Sequence, residues 1–448
     1  MKKLLIIRKA ILVITLLLIL FPAVLLSQMN PTIDKTTIDK TINKTAKLLN
    51  ENYVFPDAAK KMGEHIKTKL AAGGYYAITD PFAFCDTLTA DLQSVSKDKH
   101  IRVRYNPEEI KRMKEAEKDG HNDELEKQYL ENLKKDNYGF KKVERLSGNI
   151  GYVDFRQFAP AEYSKETVAS VMEFLSHTDA IIFDIRKNGG GSPDGVQLIC
   201  SYLFGKTSVH LNDIYTRPND ETEEYWTLSR LDGEKMPDIP VYVLTSGFTF
   251  SGAEEFAYNL KNLKRATIIG EVTGGGANPG GMVPINDWFG VFIPTGRAIN
   301  PYTKTNWEGT GVQPDVVISA DKALDQAQIL ALNKIISSKK DEQEKKQLEW
   351  YLSSLQGVIN SPEITEDILK SYSGTYADRF ITYNNGRLYY QRKPRDKFEM
   401  TPMGDDTFMF RDIQYFRVKF EKDESGKVTG LTGLYDDGHN DKSKRIEK

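Results

Sequence analysis

Cysteine is scarce in this chain of 448 residues, which contains only Cys85 and Cys200. Two cysteines exclude a disulfide scaffold and any metal site built from several thiolates. Cys200 lies on the apolar face of a helical pattern, which favours a buried free thiol, with a disulfide to Cys85 as the alternative. We expect no metal ion and no other cofactor.

The chain also lacks an excess of either charge, because 61 Lys and Arg residues oppose 63 Asp and Glu residues. A formal net charge of -2 gives no electrostatic reason to expect nucleic acid or an anionic membrane surface as a partner. The length exceeds that of one ordinary hydrophobic core, which favours two or three domains.

A long apolar run is confined to the N-terminus. Several basic residues precede an uncharged segment from Ala10 to Leu26. This pattern predicts a signal peptide over residues 1–28, and therefore a periplasmic, outer-envelope or extracellular protein. The alternative is an uncleaved membrane anchor, since about 20 apolar residues span a bilayer. In that case the protein contacts a membrane only through this segment.

Composition and apolar periodicity divide the rest of the chain into five parts. These are a mainly helical domain over residues 29–106, a charged helical insertion over 107–145, an α/β core over 146–320, a helical connector over 321–360 and a small antiparallel β domain over 361–448. In the core, runs such as Val241–Leu244 are apolar without alternation, as in buried parallel strands of an open sheet. In the β domain, a turn at Asn384–Gly386 separates two alternating segments, which predicts a hairpin.

The candidate catalytic residues lie in two turns of the core, each directly after a predicted strand. The strand Val241–Leu244 leads through a Ser/Thr/Gly turn to Ser251 at the start of a predicted helix, a placement typical of a nucleophile. A second strand ends in a run of glycines, 189–191, whose unobstructed N–H groups suit an oxyanion. Ser251 as a simple helix N-cap is the alternative. Together and in this order the two turns predict a serine hydrolase.

A nucleophilic serine needs a base, and the chain has six histidines. His100 lies on a short predicted strand, immediately after the polar residues Asp98 and Lys99, whereas His121 lies in the charged insertion and His439 near the C-terminus. His100 is therefore the best placed candidate base, with a structural histidine as the alternative.

Five ordered motifs resemble the S41 peptidases, which include the C-terminal processing proteases and the tricorn core protease. The motifs are Asp98–Val103, Asp184–Gly191, Thr245–Glu255, Gly270–Gly276 and Asn306–Asp315. The likeness covers about Thr32 to Ala320 and is closer to the branch related to interphotoreceptor retinoid-binding protein. It implies a ClpP/crotonase-like α/β core and a secreted or periplasmic serine endopeptidase that acts on a peptide or protein.

By this resemblance, Ser251 is the nucleophile that forms an acyl-enzyme. Gly252 donates one N–H group to the oxyanion and Gly190 the other, with Gly191 as the adjacent candidate. Processing proteases use a lysine base about 25 residues beyond the serine, where this chain has Gly276, so a Ser/Lys dyad is disfavoured.

Tricorn-like members use a histidine base that is supported by a glutamate, and His100 and Glu308 match those places. The tricorn pattern has a serine before the histidine that links it to the glutamate, whereas this chain has Lys99. The contact between Glu308 and His100 is therefore left open, and Glu308 as a surface turn residue beside a packed Trp307 is the alternative.

The retinoid-binding relatives imply a second function on the same fold, a non-catalytic protein that binds retinoid-like or fatty-acid-like ligands. The presence of Ser251, His100 and Glu308 together favours catalysis.

Overall fold

The computed structural model describes residues 31–119, 123–361 and 363–446. The predicted signal peptide, residues 1–28, lies outside the described residues, as does His121. Three helices open the described chain: Lys35–Asn52, Pro56–Ala71 and Pro81–Ser96. The first and third begin at Asp34 and Asp80, whose side chains accept hydrogen bonds from the first-turn N–H groups. Their apolar faces pack into one buried cluster, and the helical character predicted for this part of the chain is confirmed.

The core is a six-stranded sheet. Its strands are Phe140–Leu146 (β2), Ile150–Phe155 (β3), Ala180–Asp184 (β4), Val241–Thr245 (β7), Thr267–Gly270 (β8) and Val316–Val317 (β12). They lie side by side in the order β12-β8-β7-β4-β3-β2. All neighbours are parallel except β2, an antiparallel edge strand. Every residue of β4 and β7 is buried, in agreement with their unbroken apolar runs. The domain boundary predicted at residue 145 falls inside β2.

Both faces of this sheet are covered by helices. The crossover helices Ala161–Leu175, Pro193–Tyr202 and Gly252–Asn262 pack on one face. Helix Ala323–Ser338 packs on the other face, and helix Glu342–Asn360 packs against it. The segment predicted as a connector is therefore the second helical layer of the α/β core.

Two small antiparallel sheets surround the core. One contains Arg102–Tyr105 (β1), Gly280–Pro284 (β9) and Phe289–Pro294 (β10), and the other contains His210–Thr216 (β5), Glu221–Trp226 (β6) and Gly296–Ile299 (β11). Strand β10 pairs with β1 and buries Phe289, Val291 and Ile293 among the N-terminal helices. This pairing brings the end of the N-terminal domain to the edge of the α/β core.

The charged insertion forms the helices Pro107–Asp119 and Asp123–Lys135. A short helix, Glu366–Tyr372, leads into the C-terminal part, which is a closed antiparallel barrel. Its strands are Gly374–Tyr376, Arg379–Asn384, Arg387–Arg392, Lys397–Gly404, Thr407–Met409, Phe416–Lys422, Val428–Tyr435 and Asn440–Ile446 (β13 to β20). Asn385 and Gly386 both have positive φ in the predicted hairpin turn, as a two-residue turn requires. Closure leaves this small β domain without free strand edges.

Both cysteines are free and buried, so the alternative disulfide is wrong. Burial raises the pKa of the Cys85 thiol to about 12 and that of Cys200 well above its usual value. Neither thiol is therefore in its reactive thiolate form at neutral pH. Over the described ranges, every helix is too short or too polar to cross a membrane.

Candidate active site

Ser251 occupies a strained position between β7 and the helix that begins at Gly252. Its backbone has φ +54° and ψ −124°, a conformation that L residues rarely adopt. Ordinary N-cap residues have extended backbone angles, so capping alone does not require this geometry. Strain of this kind costs about 1–3 kcal/mol and concentrates at functional sites. The backbone therefore favours the nucleophile interpretation over the simple cap.

The buried carboxylate of Glu254 holds the Ser251 turn against the glycine loop 274–276. It accepts hydrogen bonds from the N–H groups of Ser251 at 2.9 Å, Gly275 at 2.7 Å and Gly276 at 2.8 Å. Glu254 is not among the predicted site residues. The signal was its spacing, three residues after an N-terminal serine, which is that of a capping box.

The glycine turn after β4 lies directly against Ser251. A Cβ atom on Gly190 would lie 2.7 Å from Gly252 N and 2.8 Å from Ser251 Cβ, so only glycine fits there. The N–H group of Gly190 already donates to Asn188 Oδ1 at 2.8 Å. Gly191 N lies 3.1 Å from where a Cβ atom on Gly252 would be. Within the described residues, neither Gly191 N–H nor Gly252 N–H has an acceptor. Gly191 is therefore a better candidate than Gly190 for the second N–H donor to the oxyanion, beside Gly252.

His100 packs beside the nucleophile turn. Its ring centroid is 4.6 Å from that of Phe250, the residue before Ser251, and 5.9 Å from that of Phe292. The side chain is only 9% exposed, and neither ring nitrogen has a hydrogen-bond partner in the described part of the chain. A nearly buried imidazole without partners is unusual for a structural histidine and suits a base that acts on substrate.

Gly276 explains why a lysine base does not fit this site. A Cβ atom there would lie 2.2 Å from Phe250 Cζ and 2.7 Å from His100 Cε1. The missing side chain therefore makes room for the histidine and the phenylalanine. Loop 274–276 also receives Lys99, whose Nζ donates to Gly274 O at 2.6 Å.

Two carboxyl groups accompany His100. Single ligand atoms of Asp98, His100 and Glu308 all lie within 4.8 Å of one another, and no other such set of three or more occurs in the described ranges. This spacing would also allow the three groups to approach one cation. Asp98 Oδ1 is 3.7 Å from His100 Nδ1. The structure thus brings Glu308 close to His100 without a serine at position 99.

The two carboxyl groups differ in their surroundings. Asp98 accepts hydrogen bonds from Tyr53 Oη at 3.1 Å, Asn278 Nδ2 at 2.9 Å and the His100 backbone N–H at 2.9 Å. Glu308 Oε2 accepts one, from Ala277 N–H at 2.6 Å, and Oε1 has no partner in the described residues. Asp98 belongs to a predicted motif but is not among the predicted site residues, although its position two residues before His100 was the signal.

Burial, reinforced by the charge of Asp98, raises the pKa of Glu308 to about 8. A raised pKa in the folded state means that the stabilisation is complete below the unfolded value of 4.5 and is lost as the pH rises through 8. We expect the free energy of unfolding to fall between about pH 5 and pH 8.5, and Glu308→Gln to reduce that fall by up to roughly 4 kcal/mol. Urea unfolding at both pH values measures this.

Glu255 is fully buried and its pKa is also raised to about 8, by burial, so part of the pH dependence should remain in Glu308→Gln. Glu255→Gln is the matched variant, and it should remove the part of the pH dependence of unfolding that remains in Glu308→Gln. Parallel pH profiles for the parent and Glu308→Gln would show that the Glu308 pKa is not raised.

A groove of about 450 Å³ opens beside His100. Lys99, Arg102 and Arg104 line it together with the rings of Phe248 and Phe250. The groove therefore runs past the candidate base and the nucleophile turn.

Comparison with known proteins agrees with this arrangement. The profile of Peptidase family S41 matches residues 149–318, and that of the N-terminal domain of S41 peptidases in eukaryotic IRBP matches residues 34–137. The chain belongs to peptidase family S41. The predicted resemblance is confirmed, and the second profile agrees with the predicted likeness to the retinoid-binding branch. The S41 core contains Ser251, Gly190, Gly191, Gly252 and Glu308, whereas His100 comes from the N-terminal domain.

Individual relatives share only part of their length with this S41 chain. The carboxy-terminal-processing protease of Bartonella bacilliformis is 26% identical over 179 residues, which are 39% of this chain and 40% of that protein. The tricorn protease of Thermoplasma volcanium is 27% identical over 186 residues, which are 39% of this chain and 16% of that protein. A solved structure of a putative peptidase from Parabacteroides merdae is 19% identical, with a TM-score of 0.48, and the match covers 67% of this chain and 99% of that chain.

Proposed function

We propose that this chain is a serine endopeptidase that hydrolyses peptide bonds through an acyl-enzyme on Ser251. The observation that carries the proposal is the strained backbone of Ser251, which Glu254 holds by a hydrogen bond. Next to it are the Gly191 and Gly252 N–H groups and the ring of His100 against Phe250, none of which has a hydrogen-bond partner among the described residues. A protein that only binds an apolar ligand has no need for a strained serine at this place.

In the proposed reaction, neutral His100 takes the proton of the Ser251 hydroxyl while Oγ attacks the peptide carbonyl carbon. The N–H groups of Gly191 and Gly252 donate to the oxyanion, and the positive end of helix Gly252–Asn262 adds to their effect. Protonated His100 then gives its proton to the leaving amine. Water, deprotonated by the same ring, releases the acyl group.

Asp98 is proposed as the carboxylate that stabilises protonated His100. It lies 3.7 Å from Nδ1 and accepts three hydrogen bonds, which hold it in one orientation. Glu308, with its pKa raised to about 8, is proposed as the neutral neighbour of the ring at pH 7, since its carboxyl group lies within 4.8 Å of the cluster atoms of His100 and Asp98.

The site of action is proposed to be outside the cytoplasm. The basic residues before the apolar segment 10–26 support export through a signal peptide. An uncleaved segment would keep the same domain on the outer side of the membrane.

A fluorophosphonate probe tests the nucleophile directly, because it phosphonylates only an activated serine. We expect one label per chain in the parent protein, loss of the label in Ser251→Ala, and full labelling of Ser229→Ala, which removes an exposed serine elsewhere. Equal labelling of the parent and Ser251→Ala would refute the assignment. A parent that never labels yet binds retinoids or fatty acids would favour the non-catalytic alternative.

A further inference from the structure

Among the described residues, the walls of the groove beside His100 carry positive charge and no negative charge. Three cationic side chains line it, from Lys99, Arg102 and Arg104, and its remaining lining consists of His100, phenylalanines and glycines. The whole chain has a net charge of -2, so this local balance does not reflect the overall composition.

The strand β1 explains why the arginines face the groove. Ile101 and Val103 are buried among the N-terminal helices, at 0% and 5% exposure. Because side chains alternate along a strand, Arg102 and Arg104 stand on the opposite face, toward His100. His100 lies in the turn before β1, so Arg102 and Arg104, two and four residues further on, lie at most about 7 and 13 Å from it along the backbone.

These cations have no carboxylate partner within the described residues. Arg102 Nε makes one long hydrogen bond, to Lys99 O at 3.4 Å, and Lys99 Nζ donates to Gly274 O. Within the described residues neither arginine forms a salt bridge, whereas Arg156, Arg186 and Arg411 each do. Unpaired arginines in a concave site are suited to bind a carboxylate in a fork of two hydrogen bonds.

The nearby acidic residues do not neutralise the groove. Asp98 is 1% exposed, and its oxygens accept hydrogen bonds from Tyr53, Asn278 and the His100 backbone. Glu308 does not line the groove. A substrate therefore meets the positive charges of β1 without competition from the catalytic carboxyl groups.

We propose that Arg102 and Arg104 bind a carboxylate of the substrate that lies two to four residues from the scissile bond. This inference rests on the proposed peptidase function. The distance follows from the positions of the arginines, because an extended peptide also advances about 3.3 Å per residue. The carboxylate comes either from an Asp or Glu side chain or from the C-terminus of the substrate. Phe248, 64% exposed at the groove wall, offers an apolar contact to a neighbouring residue.

The test begins with a library of decapeptides that have either a free or an amidated C-terminus, with cleavage read by mass spectrometry. A peptide that the parent cleaves is then resynthesised as a matched pair with Glu or Gln two to four residues from the scissile bond, in both terminal forms. We expect the form with the nearby carboxylate to have about tenfold higher kcat/KM, mostly through a lower KM. The preference should shrink as salt is raised.

Two double variants identify the groove as the source of the preference. Arg102→Gln/Arg104→Gln should abolish the difference between the Glu and Gln peptides, and Arg102→Glu/Arg104→Glu should reverse it. Arg145→Gln, an exposed arginine on β2 outside the groove, is the matched control and should keep the full preference. Thermal unfolding of each variant confirms that it is folded.

The outcomes separate the alternatives. A preference for the internal Glu peptide with an amidated end assigns an acidic side chain, and a preference for the free terminus alone assigns the terminal carboxylate. Equal turnover of all four peptides by the parent, or a preference unchanged in the double variants, overturns the inference and leaves the peptidase proposal intact. Absence of both cleavage and fluorophosphonate labelling in the parent overturns the peptidase proposal itself.

Discussion

Ser251→Ala should lower kcat by about 10⁴- to 10⁶-fold, because the acyl intermediate has no other nucleophile to form on. Its stability should stay within about 1 kcal/mol of the parent, the ordinary cost of a lost cap. Ser251→Gly offers a sharper version of the same experiment. Glycine adopts φ +54° without strain, so this variant should be equally inactive and more stable than the parent by about 1 kcal/mol.

Steady-state peptide hydrolysis and urea unfolding measure the two effects separately. An inactive and stabilised Ser251→Gly would show that the fold holds strain at the reacting residue. If Ser251→Ala retained turnover within tenfold of the parent, the nucleophile assignment would be wrong. If Ser251→Gly were less stable than Ser251→Ala, the positive φ would not be a source of strain.

His100→Ala should lower kcat by about 10³- to 10⁵-fold, since no other residue of the cluster can take the serine proton at neutral pH. The parent rate should fall as the pH is lowered, because only the neutral ring can accept the serine proton, and this acid limb should be absent from the residual rate of the variant. Asp98→Asn should have an intermediate effect, because it removes the charge that stabilises protonated His100 and leaves the ring in place.

The pH profile of kcat distinguishes this role from a structural one. Loss of packing alone would lower the rate at every pH and keep the acid limb, so a retained limb in His100→Ala would refute the assignment. A second variant, Gly276→Lys, introduces the base of the processing proteases. It should not restore activity to His100→Ala, because its Cβ atom meets Phe250 at 2.2 Å.

The sequence predicted those strands and turns whose conformation depends on neighbouring residues alone. The unbroken apolar runs of β4 and β7 and the Asn385-Gly386 turn each determine their own conformation, and the structure has them as expected. The small sheet of β5, β6 and β11 was not predicted. Its pairing joins residues about 80 positions apart, and short strands without an apolar run give no periodic signal.

In the candidate site, too, contacts between residues far apart in the sequence could not be predicted. Ser251, His100 and Glu308 were predicted because motifs mark them. The hydrogen bonds of Glu254 to loop 274–276 and those of Asp98 to Tyr53 and Asn278 join residues far apart in the sequence, so the local spacing of these two carboxyl groups gave only part of their role. The direction of a backbone N–H group cannot be seen in a sequence either. Gly190 and Gly191 are identical in type, and only the hydrogen bond from Gly190 to Asn188 distinguishes their roles.

Helix Ala323–Ser338 has a practical consequence for expression of the peptidase domain. The S41 profile ends at residue 318, before this helix begins. A fragment cut at that point would expose the sheet face that includes Ile150, Ile182, Leu244 and Ile269 to water. Each buried aliphatic side chain contributes about 1.5–3 kcal/mol, and whole domains are stable by only about 5–15 kcal/mol. The smallest fragment that folds autonomously and stays in solution must therefore extend at least through residue 338.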